Sequence, residues 1–141
     1  INTAEMSKLR TPIICIVIGE GGSGGALGIG VGDKFAILEF AYCSVISPEG
    51  CAAILWKSKD HTETAANALH LTAKELLKLK IVDEIIPEPI GAAHNNPKEM
   101  TRILKEKIVK YIDELQAVPI DKLIEKRYQK YRKIGSFIGG E

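Results

Sequence analysis

Aromatic residues make up only 6% of this 141-residue chain, with a single tryptophan, and only three cysteines occur. Cys15, Cys43 and Cys51 cannot all pair within one chain and form no CxxC spacing. That excludes a disulfide framework and a cysteine-built zinc module. They read as reduced, buried thiols, which favours a cytoplasmic setting. Net charge is scarce too: 19 Lys+Arg against 18 Asp+Glu leave +1, so nothing draws the chain to nucleic acid or to an acidic partner. No apolar run exceeds six residues (13–18 and 51–56), whereas a membrane-spanning helix needs about 20. No signal-peptide pattern opens the sequence. With 45% apolar and 26% charged residues, the remaining class is an ordinary soluble globular chain.

What the chain does have is glycine, and it is concentrated. Eight of 13 glycines fall within residues 19–32. Just before them, the β-branched run 13–18 follows Pro12 and reads as a strand buried on both faces. Ala4, Met6 and Leu9 mark the end of a helix upstream of it. Residues 35–40, 43–46 and 81–86 are further strand candidates. Ser47-Pro48-Glu49 supplies an N-cap with proline at the first helical position. Asp60 with Glu63, and Thr72 with Glu75, have capping-box spacing. Asn96-Pro97 with Glu99 opens a long helix with Met100, Ile103, Leu104, Ile108, Tyr111, Ile112 and Leu115 as its apolar stripe. Pro119 starts another, with Ile120, Leu123, Ile124, Tyr128 and Tyr131 on the stripe and Gly135 as the stop. Residues 1–97 carry a net charge of −3 and 98–141 of +4, so we place a boundary between two segments at 97/98. The basic residues of the second segment lie mostly off the stripe, as a solvated face or a partner-facing patch.

The glycine segment admits several readings. Close packing of helix on sheet is the plainest. Gly19-x-Gly21-x-x-Gly24 satisfies a dinucleotide fingerprint, with Glu39 as the acidic residue. The following helix would be riddled with glycine, though, and its return to the next strand is cramped. A P-loop is excluded, since no Gly-Lys-Ser/Thr follows. Gly21-Gly22-Ser23-Gly24-Gly25 matches a nucleophile elbow, with Ser23 as the nucleophile of a serine hydrolase and His61, His70 and His94 downstream. The last reading is a pocket of backbone amides. Consecutive glycines opening a short helix near residues 24–30 present N–H groups with no Cβ in the way, and these stabilise an oxyanion.

The runs IGEGGSGGALGIGVGDK and SVISPEGCAAILWK resemble the α subunit family of bacterial and plastid acetyl-CoA carboxylase carboxyltransferase. The likeness continues through IIPEPIGAAHNNP to RYQKYRKIG and so covers essentially the whole chain. It implies an α/β crotonase (ClpP-like) fold, a spiral of ββα units with C-terminal helices. Because the family's subunits are longer, it implies a spiral incomplete on its N-terminal side. Residues 1–97 then belong to the carboxyltransferase core and 98–141 form a helical extension. The implied reaction carries a carboxyl group from carboxybiotin to acetyl-CoA, giving malonyl-CoA in the first committed step of fatty acid biosynthesis. Biotin would sit covalently on the biotin carboxyl carrier protein, and ATP would be bound only at the level of the complex. Partners would be the carboxyltransferase β subunit, the carrier protein and biotin carboxylase, in a hetero-oligomer. The location would be the cytoplasm or the plastid stroma, with neither nucleic acid nor membrane as partner and no metal on this chain. Gly24 and Gly25 map onto the backbone oxyanion donors; Gly21, Gly22 and Ser23 shape the carboxybiotin pocket. One departure is Gly91-Ala92-Ala93-His94, where the family often has Gly-Gly before histidine.

The remaining residues attract structural readings. Phe40 and Trp56 read as core or interface packing. Cys51, inside a helix start, reads as a buried thiol rather than a reactive one. His94 reads as a loop residue, and Glu49 as a complement to the helix dipole. With half of the run 13–18 exposed, the 141-residue piece alone would be expected to be inactive and either to aggregate or to associate with itself or a partner.

Overall fold

The computed structural model describes residues 2–135. Helix α1 (Asn2–Ser7) leads through Pro12 into β1 (Ile14–Val17), β2 (Glu20–Gly22) and α2 (Ser23–Ile29). The same order then recurs as β3 (Lys34–Leu38), β4 (Tyr42–Ser44) and α3 (Pro48–Trp56). β1 pairs with β3 in parallel from Ile14↔Lys34 to Val17↔Ile37. β2 pairs with β4 in parallel from Glu20↔Tyr42 to Gly22↔Ser44. Each ββα unit thus sends its first strand to one sheet and its second to another. Parallel neighbours cannot be joined by a tight turn, which is why a helix separates successive strands of one sheet. A turn at Lys59–His61, α4 (Thr62–Leu69) and α5 (Ala73–Lys78) lead to β5 (Glu84–Ile86), which pairs with β3. Helices α6 (Pro97–Gln116) and α7 (Ile120–Arg132) follow.

The double burial expected of residues 13–18 belongs to β3 instead. Ala36, Ile37 and Leu38 are at most 1% exposed, whereas only Cys15 of β1 is buried and Ile18 is 70% exposed. The sheet order β1-β3-β5 explains it: β3 is central, and β1 is an edge among the described residues. The core gathers around β3, with Val82 and Ile86 from before the 97/98 boundary and Met100 and Tyr111 of α6 from beyond it. The segment beyond residue 97 therefore shares its core with the segment before it.

Helix starts follow their local chemistry where nothing competes. Ser47 Oγ accepts from Gly50 N at 3.1 Å, and Asn96 Oδ1 accepts from Glu99 N at 3.2 Å. Thr72 N and Oγ1 both donate to Glu75 Oε2, closing the second capping box. The Asp60–Glu63 box does not form. Ser58 takes the Asp60 N–H and donates to its carboxylate, drawing Asp60 into the turn at 59–61, so α4 begins at Thr62 without a side-chain cap. The stripe of α7 also differs. Tyr128 is 58% exposed, and Arg127 occupies the buried position one turn beyond Leu123. Phe40 and Trp56 are exposed and do not belong to this chain's core, because β3 ends at Leu38 and α3 buries only Ala52.

Candidate active site

The structure sorts the glycines by what a side chain would meet. At Gly21 a Cβ would lie 3.0 Å from Cys43 Sγ and 3.2 Å from Val17 Cγ1; at Gly32 it would lie 2.8 Å from both Cys15 Sγ and Lys34 O. Those two glycines allow strands and linkers to approach closely, so the packing reading holds for them. At Gly22, Gly24 and Gly25 a Cβ would meet nothing within 4 Å, and none of the three has a positive φ. All three are exposed. Neither packing nor backbone conformation within the described residues demands glycine there.

β2 is a three-residue strand that the sequence reading passed over, since Glu-Gly-Gly has little strand propensity. Its pairing with β4 places the start of α2 directly after the sheet, with Gly22 as N-cap and no side-chain cap. The first N–H groups of a helix have no partner within it. Here the amides of Gly24 and Gly25 find no acceptor among the described residues. The five expected residues are consecutive: Gly21 and Gly22 end the strand, and Ser23, Gly24 and Gly25 form the first turn. The GxGxxG reading loses its geometry, since Gly21 lies within β2 and Glu39 accepts a hydrogen bond from Glu88 N.

Cavities of about 480 and 520 Å³ flank α2. Ser23, Leu27, Val45, Leu76 and Tyr131 contribute to the mainly apolar wall of the first; Gly21, Gly22 and Gly25 line the second with residues of β1. Ser23 turns the chain with φ 57°, a left-handed conformation unfavourable for serine. No histidine serves it as a base. His70 Nδ1 lies 2.8 Å from Glu75 Oε1, His61 packs against the Trp56 ring at 5.4 Å, and His94 sits exposed in the turn at Ala93–Asn95. All three cysteines are free; burial pushes the thiols of Cys15 and Cys43 above their ordinary pKa, and Cys51 is half-buried in the first turn of α3. Among the described residues no group of three or more His, Cys, Asp or Glu could hold a metal, and no helix is long and apolar enough to cross a membrane. In the loop before His94, Gly91 has φ 85° and Ala92 has φ 75° with ψ 168°. The latter is a region almost confined to glycine, so Ala92 is strained.

Two residues that bear on this geometry escaped the sequence reading. Arg127, taken as solvated, is 2% exposed; its Nε and Nη2 donate to Asp33 Oδ1 and Oδ2 at 2.9 and 2.7 Å. Its Nη1 also reaches the carbonyls of Ser7 and Leu9. Tyr131, read as an apolar stripe residue, places its hydroxyl on the carbonyls of Gly30 and Gly32. The local signal for Arg127 was its spacing of four from Leu123, which places it on the inward face.

Residues 1–135 match the family model described as acetyl co-enzyme A carboxylase carboxyltransferase-like. The chain is 54% identical over 133 residues to the acetyl-coenzyme A carboxylase carboxyl transferase subunit alpha of Rhodopirellula baltica, covering 94% of this chain and 42% of that protein. It is 53% identical over 139 residues to the protein of the same name from Geobacter sulfurreducens, covering 99% and 44%. The chain thus spans less than half the length of these relatives. Among solved structures it resembles a transcarboxylase 12S hexamer with methylmalonyl-coenzyme A and methylmalonic acid bound, at TM-score 0.64 and 18% identity, covering 83% of this chain and 22% of the other. A Pseudomonas malonate decarboxylase hetero-tetramer in complex with coenzyme A matches at TM-score 0.61 and 15% identity, covering 89% and 50%. These likenesses establish the crotonase-like fold, in keeping with the two ββα units.

Proposed function

The chain belongs to the acetyl-CoA carboxylase carboxyltransferase-like family, and we propose that it supplies the carboxybiotin side of a carboxyltransferase active site. In this reading the longer protein, joined to a β subunit, moves a carboxyl group from carboxybiotin to acetyl-CoA and yields malonyl-CoA for fatty acid synthesis. Biotin, held on a separate carrier protein loaded by biotin carboxylase, supplies the activated carboxyl group through its ureido ring. The reading places the assembly in the cytoplasm or plastid stroma.

The observation that carries the site is the pair of unobstructed, unpaired amides at Gly24 and Gly25. As donors they hold the ureido oxygen of biotin and stabilise negative charge that builds there during transfer. Gly21 and Gly22 keep the approach clear, and Ser23 makes the turn. No side chain of α2 need gain or lose a proton, in accord with a helix that contains no ionisable residue. The test uses the full-length subunit assembled with its β partner. Gly24→Val keeps the N–H but sets a branched side chain in the open space beside it, and is expected to reduce carboxyl transfer by about 100- to 1000-fold, the scale of one lost oxyanion contact, while the complex still assembles. Normal turnover would overturn the reading.

The left-handed Ser23 gives the serine hydrolase reading its one supporting observation. That reading requires fluorophosphonate labelling of Ser23 and loss of activity in Ser23→Ala. We expect no labelling and carboxyl transfer near the unmodified level.

A further inference from the structure

Helix α2 has little of its own to hold it in place. Three of its seven residues are glycine and none of the seven is buried. Glycine leaves the backbone at its freest, and side-chain packing adds little restraint. The anchorage comes from the other end of the helix, where Cys15 Sγ donates to Ile29 O at 3.1 Å and residues 30–33 lead into β3. Arg127, Lys130 and Tyr131 stand at i, i+3 and i+4 on α7, hence on one face, and all three grip that linker. Tyr131 Oη lies 2.6 Å from Gly30 O and 2.9 Å from Gly32 O, sharing its proton between them. Lys130 Nζ is 3.3 Å from Gly32 O, and Arg127 makes its forked contact with Asp33.

We infer that Tyr131 is a positioning residue for carboxyl transfer, fixing the C-terminal end of α2 so that the Gly24 and Gly25 amides at its other end stay in register with the reacting oxygen. The inference rests on the reading of those amides as oxyanion donors. Gly30 is the C-cap of α2, its own N–H donating to Ala26 O at 2.8 Å, so a hold on its carbonyl is a hold on the helix end. Over seven residues the helix spans about 10 Å, short enough for a small tilt at one end to move the other. Burial keeps the Tyr131 hydroxyl above its ordinary pKa, so it remains a donor through the neutral range.

The experiment compares Tyr131→Phe, Tyr128→Phe and Gly24→Val in the full-length subunit assembled with its β partner. Tyr128 is exposed on the same helix and serves as the control. Tyr131→Phe is expected to lower kcat by about 10- to 100-fold, the scale of a displaced catalytic group. KM for the acyl-CoA and the melting temperature should stay unchanged, with faster amide exchange confined to residues 23–33. Tyr128→Phe should change none of these. Unchanged kcat and exchange in Tyr131→Phe, beside an inactive Gly24→Val, would overturn the positioning role and leave the donor reading standing. Full activity in Gly24→Val would sink the donor reading, and the positioning role with it. A fall in melting temperature with a raised KM in Tyr131→Phe would assign the hydroxyl to general stability and overturn the inference.

Discussion

The two ββα units follow the same path and pair strand for strand, yet they begin their helices in opposite ways. In the second unit three residues separate β4 from α3, and Ser47 uses them to cap the helix, taking the Gly50 N–H. In the first unit α2 starts immediately after β2, with no side-chain cap and a left-handed Ser23 at the corner. Gly50 is hemmed in by Ile46 and Ser47 at 3.1–3.3 Å, whereas Gly24 and Gly25 face open space. Among the described residues, one helix start is capped by a side chain and the other is not. Since the scaffold is the same, the difference lies in the residues at the corner.

The comparison is broken most directly by exchanging the two kinds of glycine. Gly25→Val should reduce carboxyl transfer of the assembled enzyme about 100- to 1000-fold, roughly 3–4 kcal/mol of transition-state stabilisation, with little change in melting temperature. Gly50→Val should do the reverse, lowering the melting temperature because its neighbours must shift, with little effect on turnover of the folded enzyme. Thermal melts and carboxyl-transfer assays on both variants decide it.

Next in size is the clamp of Arg127 on Asp33, in the linker between the two units. Arg127 and Asp33 have side chains 1% and 3% exposed. Arg127→Met strands a buried carboxylate and should cost about 3 kcal/mol, read by denaturant unfolding of the full-length subunit.

At the helix corners the same residue type should respond with opposite signs. Ser47→Ala removes a working cap and should lower stability by about 1 kcal/mol. Ser23→Gly relieves a left-handed serine and should raise it by about 1 kcal/mol. Equal signs in thermal melts would erase the distinction between the two units.

The smallest effect is acid sensitivity on the side of the second unit, where Thr72 bridges to Tyr42 of β4. Hydrogen bonds from Thr72, then His70, pull the Glu75 pKa from 4.5 down to about 2. A lowered folded-state pKa stabilises above the unfolded value, and that stabilisation is lost as pH falls from about 4.5 toward 2. Glu75→Gln should therefore flatten the melting temperature over that window and leave it unaltered in slope above pH 5. An identical acid limb in both proteins would remove Glu75 from the account.

Much of this was legible in the order of residues. Ser47-Pro48, the Thr72/Glu75 box and Asn96-Pro97-Glu99 opened their helices as read, because a cap is an interaction among residues three apart. The stripe of α6 likewise follows from helical period alone, with Met100, Tyr111 and Leu115 buried. The glycine cluster after a strand, and the family it resembles, were equally visible. Only the tertiary structure could divide the glycines into those that let Cys43 or Cys15 come close and those that face open space, since the neighbours lie far away in the chain. It alone made β2 a strand, through pairing with β4, and gave double burial to β3 rather than β1. It turned Arg127 from a surface charge into a buried clamp, because Asp33 arrives from 94 residues away. Local chemistry decides where a helix begins; what a side chain touches is decided by the segments that folding brings beside it.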